Sequence, residues 1–187
     1  MQGGCIIYLD VDGVLNRYGV RTLPLHEAAD IEKDFRRQEE AARRHAVSVG
    51  SMEWWALKIK PECVERLDRI AAHADAVVLS SNWKHPLLTY GIQFSDVLRT
   101  AGSTVAASKM RGVTPFLGPR LTELAFSVRE LEPQRFVVLD DVSLSASTDS
   151  LDDDEREVCR YHVHTRGDVG LTDDDVEKAV GILTRAT

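Results

Sequence analysis

Cys5-Ile6-Ile7-Tyr8-Leu9-Asp10-Val11-Asp12-Gly13-Val14-Leu15-Asn16 is an apolar run that ends abruptly in acid. Residues 5–9 are mostly apolar and β-prone, the pattern of a strand buried on both faces of a parallel sheet, and Gly13 supplies the turn that stops it. Asp10 and Asp12 therefore fall at the strand's carboxyl end, where open α/β sheets bind ligands in the crevice beyond the strand tips. Two carboxylates this close in a dry setting repel each other and raise each other's pKa, unless a cation or a shared proton offsets the charge. A hard divalent ion is the natural partner. Taken alone, the same residues also fit an ordinary strand and Asp-Gly turn that commits the chain to no chemistry.

Two further runs end in the same way. Arg135-Phe136-Val137-Val138-Leu139-Asp140-Asp141 brings two more carboxylates to what should be the same sheet edge, and Ala76-Val77-Val78-Leu79-Ser80-Ser81-Asn82 ends in hydroxyls and an amide. Together the three endings offer a nucleophile and general acid, a donor for phosphate oxygens, and additional metal oxygens.

These motifs resemble the haloacid dehalogenase (HAD) superfamily of aspartate-nucleophile phosphohydrolases. Asp10-Val11-Asp12-Gly13-Val14 matches its first motif, Ser80 its second and Asp140-Asp141 its fourth. With Leu-Ser-Ser-Asn-Trp at 79–83 and a late Gly170-Leu171-Thr172, the pattern is similar to a narrower group, the HAD domains of Swiss Army Knife RNA-repair proteins. The resemblance implies a single α/β domain over 1–187 with a Rossmann-like, HAD-type parallel sheet flanked by helices. Residues 17–55 match no motif of the family and stand where such enzymes place a small helical cap or flap, directly after the first strand. A cap excludes water and selects substrate.

Composition sets the outer limits. A chain of 187 residues, 43% hydrophobic, can bury a full core as one domain. No stretch reaches the length of a membrane span and the N-terminus lacks a charged leader with an apolar core, so a cytoplasmic location without membrane contact is expected. Cys5, Cys63 and Cys159 are odd in number and scattered, which suits buried thiols in a reducing compartment better than a disulfide framework or a zinc cluster. A formal net charge of −7 argues against nonspecific coating of nucleic acid. The acidic runs at 149–157 and 173–177 read as solvated faces.

Leu25 to Ala46 reads as a helix rich in Glu, Arg and Ala, with Lys33, Arg36, Arg37, Arg43 and Arg44 interleaved with Glu32, Glu39 and Glu40. It presents either positive charge to a substrate or a salt-bridged solvent face. Trp54 and Trp55 either stack a base or pin the insertion to the core, with core packing expected for at least one. Pro61 opens a helix with apolar positions at Cys63, Val64, Leu67, Ile70 and Ala71. Beyond Ser80, the residues Ser81, Asn82 and Trp83 lie close enough to touch substrate if the loop curls inward, and Pro86 is expected to hold back the next helix, with Leu87–Leu98 helical in part. Gly102 to Thr114 reads as irregular. Cys159 to His164 reads as a short strand in which His162 and His164 are structural, one ring turned outward and one inward. Thr172 is a strong N-cap followed by three acids at the start of the final helix.

The resemblance also implies a cation that holds the nucleophile and the transferring phosphoryl group together. Arg120 fits, because Gly118-Pro119 would open its helix and one helix plus one strand then separates it from Asp140, the length of a βαβ crossover. Lys109 is the competing candidate, and in either case a substrate contact is expected of it. The implied mechanism is two-step phosphomonoester hydrolysis. Asp10 attacks phosphorus to form an aspartyl-phosphate, and Asp12 protonates the leaving oxygen and then activates water. Mg²⁺ would be held by Asp10, the Asp12 main-chain carbonyl and Asp140, with Asp141 orienting the ion or its waters. In the family a second acid at the position of Asp12 distinguishes phosphatases from dehalogenases. Substrates of two kinds stay open, RNA or DNA ends in repair and free nucleotides or other small metabolites; a non-catalytic phosphate-binding module is the third reading. Oligomeric state is not legible in the sequence.

Overall fold

The computed structural model describes residues 3–16, 51–144 and 151–185, with Lys33, Arg36, Glu40, Arg43, Val47 and Ser48. Most of the expected Leu25–Ala46 helix and part of the loop after Val142 lie outside the described residues; Lys33, Arg36, Glu40 and Arg43 are helical and exposed.

Strands β1 (Cys5–Leu9), β2 (Ala76–Leu79), β3 (Met110–Val113), β4 (Arg135–Asp140) and β5 (His162–His164) form one sheet in the order β3-β2-β1-β4-β5. Every pairing is parallel. Strand alternation divides the core in two. Ile7 and Leu9 face one side with Val77, Leu79, Val137, Leu139 and Val163, against helices α1 (Met52–Ala56), α2 (Pro61–Ala71), α4 (Phe94–Thr100), α5 (Val105–Lys109) and α8 (Asp173–Thr184). Ile6 and Tyr8 face the other with Val78, Phe136 and Val138, against α6 (Arg120–Leu131) and α7 (Asp153–Arg160). Each fully buried side chain of this kind stabilises the fold by roughly 1.5–3 kcal/mol, so a sheet covered on both faces needs the near-continuous apolar runs found in β1, β2 and β4. No described helix is long and apolar enough to cross a membrane.

The chain moves from β1 outward to β2 and β3, then returns across the sheet to β4 and β5. That reversal opens a crevice between the carboxyl ends of β1 and β4, the switch point at which doubly wound sheets bind ligands.

Several local expectations are corrected. Helix α3 (Lys84–Tyr90) begins before Pro86, because a proline in the first turn lacks only an N–H that has no partner inside the helix. Gly91, at φ 66°, ends it, and α4 follows as a separate helix. Residues 102–114 contain α5 and edge strand β3; its sequence, Met-Arg-Gly-Val, has no apolar run because the strand is largely exposed. Cys159 belongs to α7, whose acidic start is a capping box between Asp152 and Glu155, so only 162–164 are strand. His162 and His164, two residues apart, share one face of β5 with ring centroids 5.5 Å apart, instead of pointing to opposite sides. Thr172 caps α8 as expected, reciprocally with Asp175.

Gly170 locks the segment before α8 onto the turn after β1. The Leu171 N–H donates to the Val14 carbonyl at 2.8 Å. Gly170 has φ +83°, and a Cβ there would lie 2.9 Å from both the Val14 carbonyl oxygen and Cys63 Sγ. Gly170→Ala is therefore expected to destabilise the fold by roughly 2–4 kcal/mol, combining left-handed strain with a clash against backbone. Urea denaturation with an unchanged m-value checks this, and a loss below about 0.5 kcal/mol would contradict the close approach.

Candidate active site

Sheet register builds the site. Leu9 pairs with Leu79 on one side and Leu139 on the other, so the next residues, Asp10, Ser80 and Asp140, stand abreast at three neighbouring strand tips. The Asp10 N–H donates to the Leu139 carbonyl at 2.9 Å and the Ser80 N–H to the Leu9 carbonyl at 2.7 Å, extending the ladder one rung past the strands. Arg120 is the first residue of α6, after Pro119 at the N-cap. Its Nη1 donates to the Ser80 carbonyl at 2.7 Å and to Asp140 Oδ2 at 2.5 Å, and lies 3.3 Å from Asp10 Oδ1. One guanidinium nitrogen thus ties the tips of β1, β2 and β4.

The turn after β1 brings in the remaining acids. Gly13, at φ +77°, lets Asp141 pack on the backbone: a Cβ at residue 13 would stand 2.2 Å from Asp141 Oδ2. Asp12 Oδ1 accepts from Asn16 Nδ2 at 2.9 Å and from Trp83 Nε1 at 3.0 Å. Asn16 Oδ1 in turn accepts the Gly13 N–H at 3.0 Å. Ser80 is 1% exposed, and its hydroxyl has no hydrogen-bond partner among the described residues. Arg120 holds the carbonyl of the same residue, and a buried, unsatisfied hydroxyl there is one that an incoming phosphate oxygen would satisfy.

A family model described as the HAD domain in Swiss Army Knife RNA repair proteins matches residues 6–176. The chain belongs to this family. Comparison with curated proteins returns no match, and neither does comparison with solved structures. Membership implies phosphatase-type hydrolase chemistry, and the match covers all of the sheet but Cys5, with every strand-tip residue described above.

As a HAD domain the chain is expected to use a divalent metal, and the acids fit one. Asp10, Asp140 and Asp141 offer carboxylate oxygens that all lie within 4.8 Å of one another, the hard donor set that divalent cations prefer. Asp10 is pushed up to about 8, by burial first and then by the Asp140 charge, with Arg120, the Ser81 hydroxyl and the Val11 N–H opposing. Burial also raises Asp140, against Arg120 and the Val142 N–H, which donates to Asp140 Oδ1 at 2.9 Å. Asp141 rises to about 6 through burial and its neighbours Asp140 and Asp12. Three acids facing one guanidinium leave negative charge that a second cation would neutralise.

The other expected site residues divide. Ser81 is buried and turned to Asp10. Asn82 is exposed at the rim. Lys109 is removed from the site: its ammonium donates to the carbonyls of Ala71 and Ala74 at 2.8 and 2.7 Å. The physical reason is position, since α5 leads into β3 and ends at the amino edge of the sheet, opposite the acids. Of the two candidate cations, Arg120 alone meets them.

Supporting residues emerge that no motif marked. His162 Nε2 lies 3.1 Å from the Asp140 carbonyl and His164 Nε2 2.8 Å from the Asp141 carbonyl; a carbonyl only accepts, so each Nε2 carries the proton. Burial lowers the His162 pKa and keeps that ring neutral. The Thr165 N–H donates to the Asp140 carbonyl at 3.0 Å and its hydroxyl to the Gly13 carbonyl at 2.9 Å. Lys84, 3% exposed, pairs with Glu123 at 2.5 Å and donates to the Pro115 carbonyl at 2.9 Å, which anchors the chain between β3 and α6.

The acid cluster is expected to make stability depend on pH and cation together. Asp10 is raised from 3.8 to about 8, so the folded protein holds this proton more tightly than the unfolded chain does. Without a divalent cation, stability should therefore fall as pH rises across that interval. Saturating Mg²⁺ or Mn²⁺ should raise Tm by about 5–10 °C at pH 8 and by much less at pH 5. A cation response that is absent at every pH, or that survives in Asp140→Asn, would exclude binding at this cluster.

Proposed function

We propose that this HAD domain is a Mg²⁺-dependent phosphomonoester hydrolase that passes through an aspartyl-phosphate on Asp10 and acts on the phosphorylated ends of nucleic acids. The observation that carries the reaction is the rung of Asp10, Ser80 and Asp140 bridged by Arg120, with the Ser80 hydroxyl unpartnered among the described residues.

Each side chain then has one task. Asp10 attacks phosphorus in line as the bond to the leaving oxygen breaks, and Asp12 gives that oxygen its proton. Water next attacks the phosphorus of the aspartyl-phosphate, Asp12 takes the proton, and the bond to Asp10 breaks to restore the enzyme. Arg120 carries positive charge beside the nucleophile, and Ser80 Oγ donates to a non-bridging phosphoryl oxygen. Asp10, Asp140, Asp141 and the Asp12 carbonyl would hold Mg²⁺. Bound there, the ion neutralises charge on the nucleophile and on the phosphoryl oxygens.

One observation supports nucleic-acid ends, and a second is compatible with them. The matching family is described by RNA repair proteins. A net charge of −7 disfavours contact along a polyanion, so recognition confined to a terminal phosphate is the form of nucleic-acid binding that suits this chain. The same charge by itself favours a free nucleotide or small phosphate ester as substrate. Phosphate release with Mg²⁺ from 3′- and 5′-phosphorylated oligonucleotides, mononucleotides and sugar phosphates separates the two, and indifference to the oligonucleotide arm would remove the repair reading.

Asp10→Asn should lower turnover at least about 10³-fold while leaving the fold intact, with Tm above pH 8 unchanged or higher because a carboxylate disfavoured by burial and by the Asp140 charge is gone. Arg120→Met should cost about 10²–10³ in kcat. Retained hydrolysis by Asp10→Asn would refute the nucleophile.

A further inference from the structure

Trp83 stands 71 residues from Asp12 in sequence, yet its indole N–H reaches the carboxylate that the proposed reaction uses for proton transfer. The contact is unusual in how it divides that carboxylate. Asn16 Nδ2 and Trp83 Nε1 both donate to Oδ1, at 2.9 and 3.0 Å, and among the described residues nothing donates to Oδ2. An oxygen accepting two N–H groups has used both lone pairs, so the proton of the acid form belongs on Oδ2. We infer that Trp83 and Asn16 are positioning residues that hold Asp12 in one orientation, with Oδ2 as the single oxygen that gives the proton to the leaving group.

The surroundings suit a fixed donor. Trp83 is buried and its ring packs against two others, 4.8 Å from Trp55 at 59° and 6.3 Å from Phe94 at 83°. Asn16 is buried too, and its Oδ1 is occupied by the Gly13 N–H, which sets the amide so that Nδ2 faces Asp12. Neither donor carries charge, so they orient the carboxylate without the strong local field that Arg120 exerts on Asp10. Trp55 lies in the short helix α1, and that helix thereby braces the side chain that braces Asp12.

In the step concerned, the Asp10–phosphorus bond forms, the bond from phosphorus to the leaving oxygen breaks, and the proton moves from Asp12 Oδ2 to that oxygen. An alkoxide leaving group needs this proton far more than a nitrophenoxide does. A positioning role therefore carries a signature that general loss of packing lacks. The role rests on the phosphatase reading above, and the test separates the two.

The experiment compares kcat/KM, which reports steps up to departure of the leaving group, for 4-nitrophenyl phosphate and an alkyl phosphate such as a mononucleotide. The proteins are wild type, Trp83→Phe, Asn16→Ser, Asp12→Asn and the double variant Trp83→Phe/Asp12→Asn. Trp83→Phe keeps an aromatic ring but removes the N–H. It is expected to lose at least about tenfold more activity on the alkyl ester than on the aryl ester. Asn16→Ser, which removes the other donor, should give the same bias, so a folding failure of either variant leaves the other to decide. Adding Trp83→Phe to Asp12→Asn should cost nothing further, because the residue acts through Asp12. Equal losses on both esters, or an additive loss in the double variant, would overturn the positioning role while leaving the phosphatase reading in place. No turnover of either ester by the wild-type protein would overturn both.

Discussion

Arg120 is the interaction on which the rest of the structure depends. Its Nη1 touches the Ser80 carbonyl, Asp140 and Asp10, groups from three different strands, at a point where Asp10 and Asp140 are almost wholly buried. Buried carboxylates without a partner would cost several kcal/mol each, so the acids are tolerated at the strand tips only because a guanidinium arrives between them. Delivering it there constrains the chain at both ends of α6. Pro119 must start the helix at Arg120, and the helix must be long enough to return the chain to the amino end of β4.

A comparison within the same sheet edge explains why one cluster reads as a reaction centre and another as scaffolding. Lys84 and Glu123 form a buried one-to-one pair whose remaining donors and acceptors are taken up by Thr114, Pro115 and Leu117. Charge is balanced and nothing is left to bind. Around Arg120, three carboxylates face one cation; burial raises the pKa of all three, and the charge of neighbouring carboxylates adds to the rise at Asp10 and Asp141. The imbalance is destabilising for the isolated chain and is the electrostatic reason the cluster fits a divalent ion. Asp12 differs again: among the described residues it meets neutral N–H donors, both on one oxygen.

The family motif Gly170-Leu171-Thr172 acquires a mechanical meaning from this arrangement. Gly170 lies against the Val14 carbonyl and Leu171 donates to it, so the segment that starts α8 also clamps the turn carrying Asp12 and Gly13. Thr165, on the strand-tip rung next to Asp140, fixes the same turn through the Gly13 carbonyl. The acid-bearing turn is thereby held from the far end of the chain, which is the kind of support a site needs if its atoms are to stay in place.

From the residues alone, the central strands, the helices after Pro61 and Thr172 and the placing of Asp10, Ser80 and Asp140 at one edge were all legible, because strand burial, proline and capping chemistry act over a few neighbouring residues. Edge strand β3 and helix α7 were not: an exposed edge needs no apolar run, and an acidic helix start resembles any solvated charge cluster. Arg120 could be singled out against Lys109 only by family likeness and spacing. It was the folded chain that sent Lys109 to the amino edge and Arg120 to the acids. The indole of Trp83 on Asp12, the histidines on the Asp140 and Asp141 carbonyls and the Lys84–Glu123 pair belong wholly to tertiary structure. Local composition dictates which residues end a strand; which side chain meets them there is decided by register and crossover, through contacts between positions that the sequence keeps far apart.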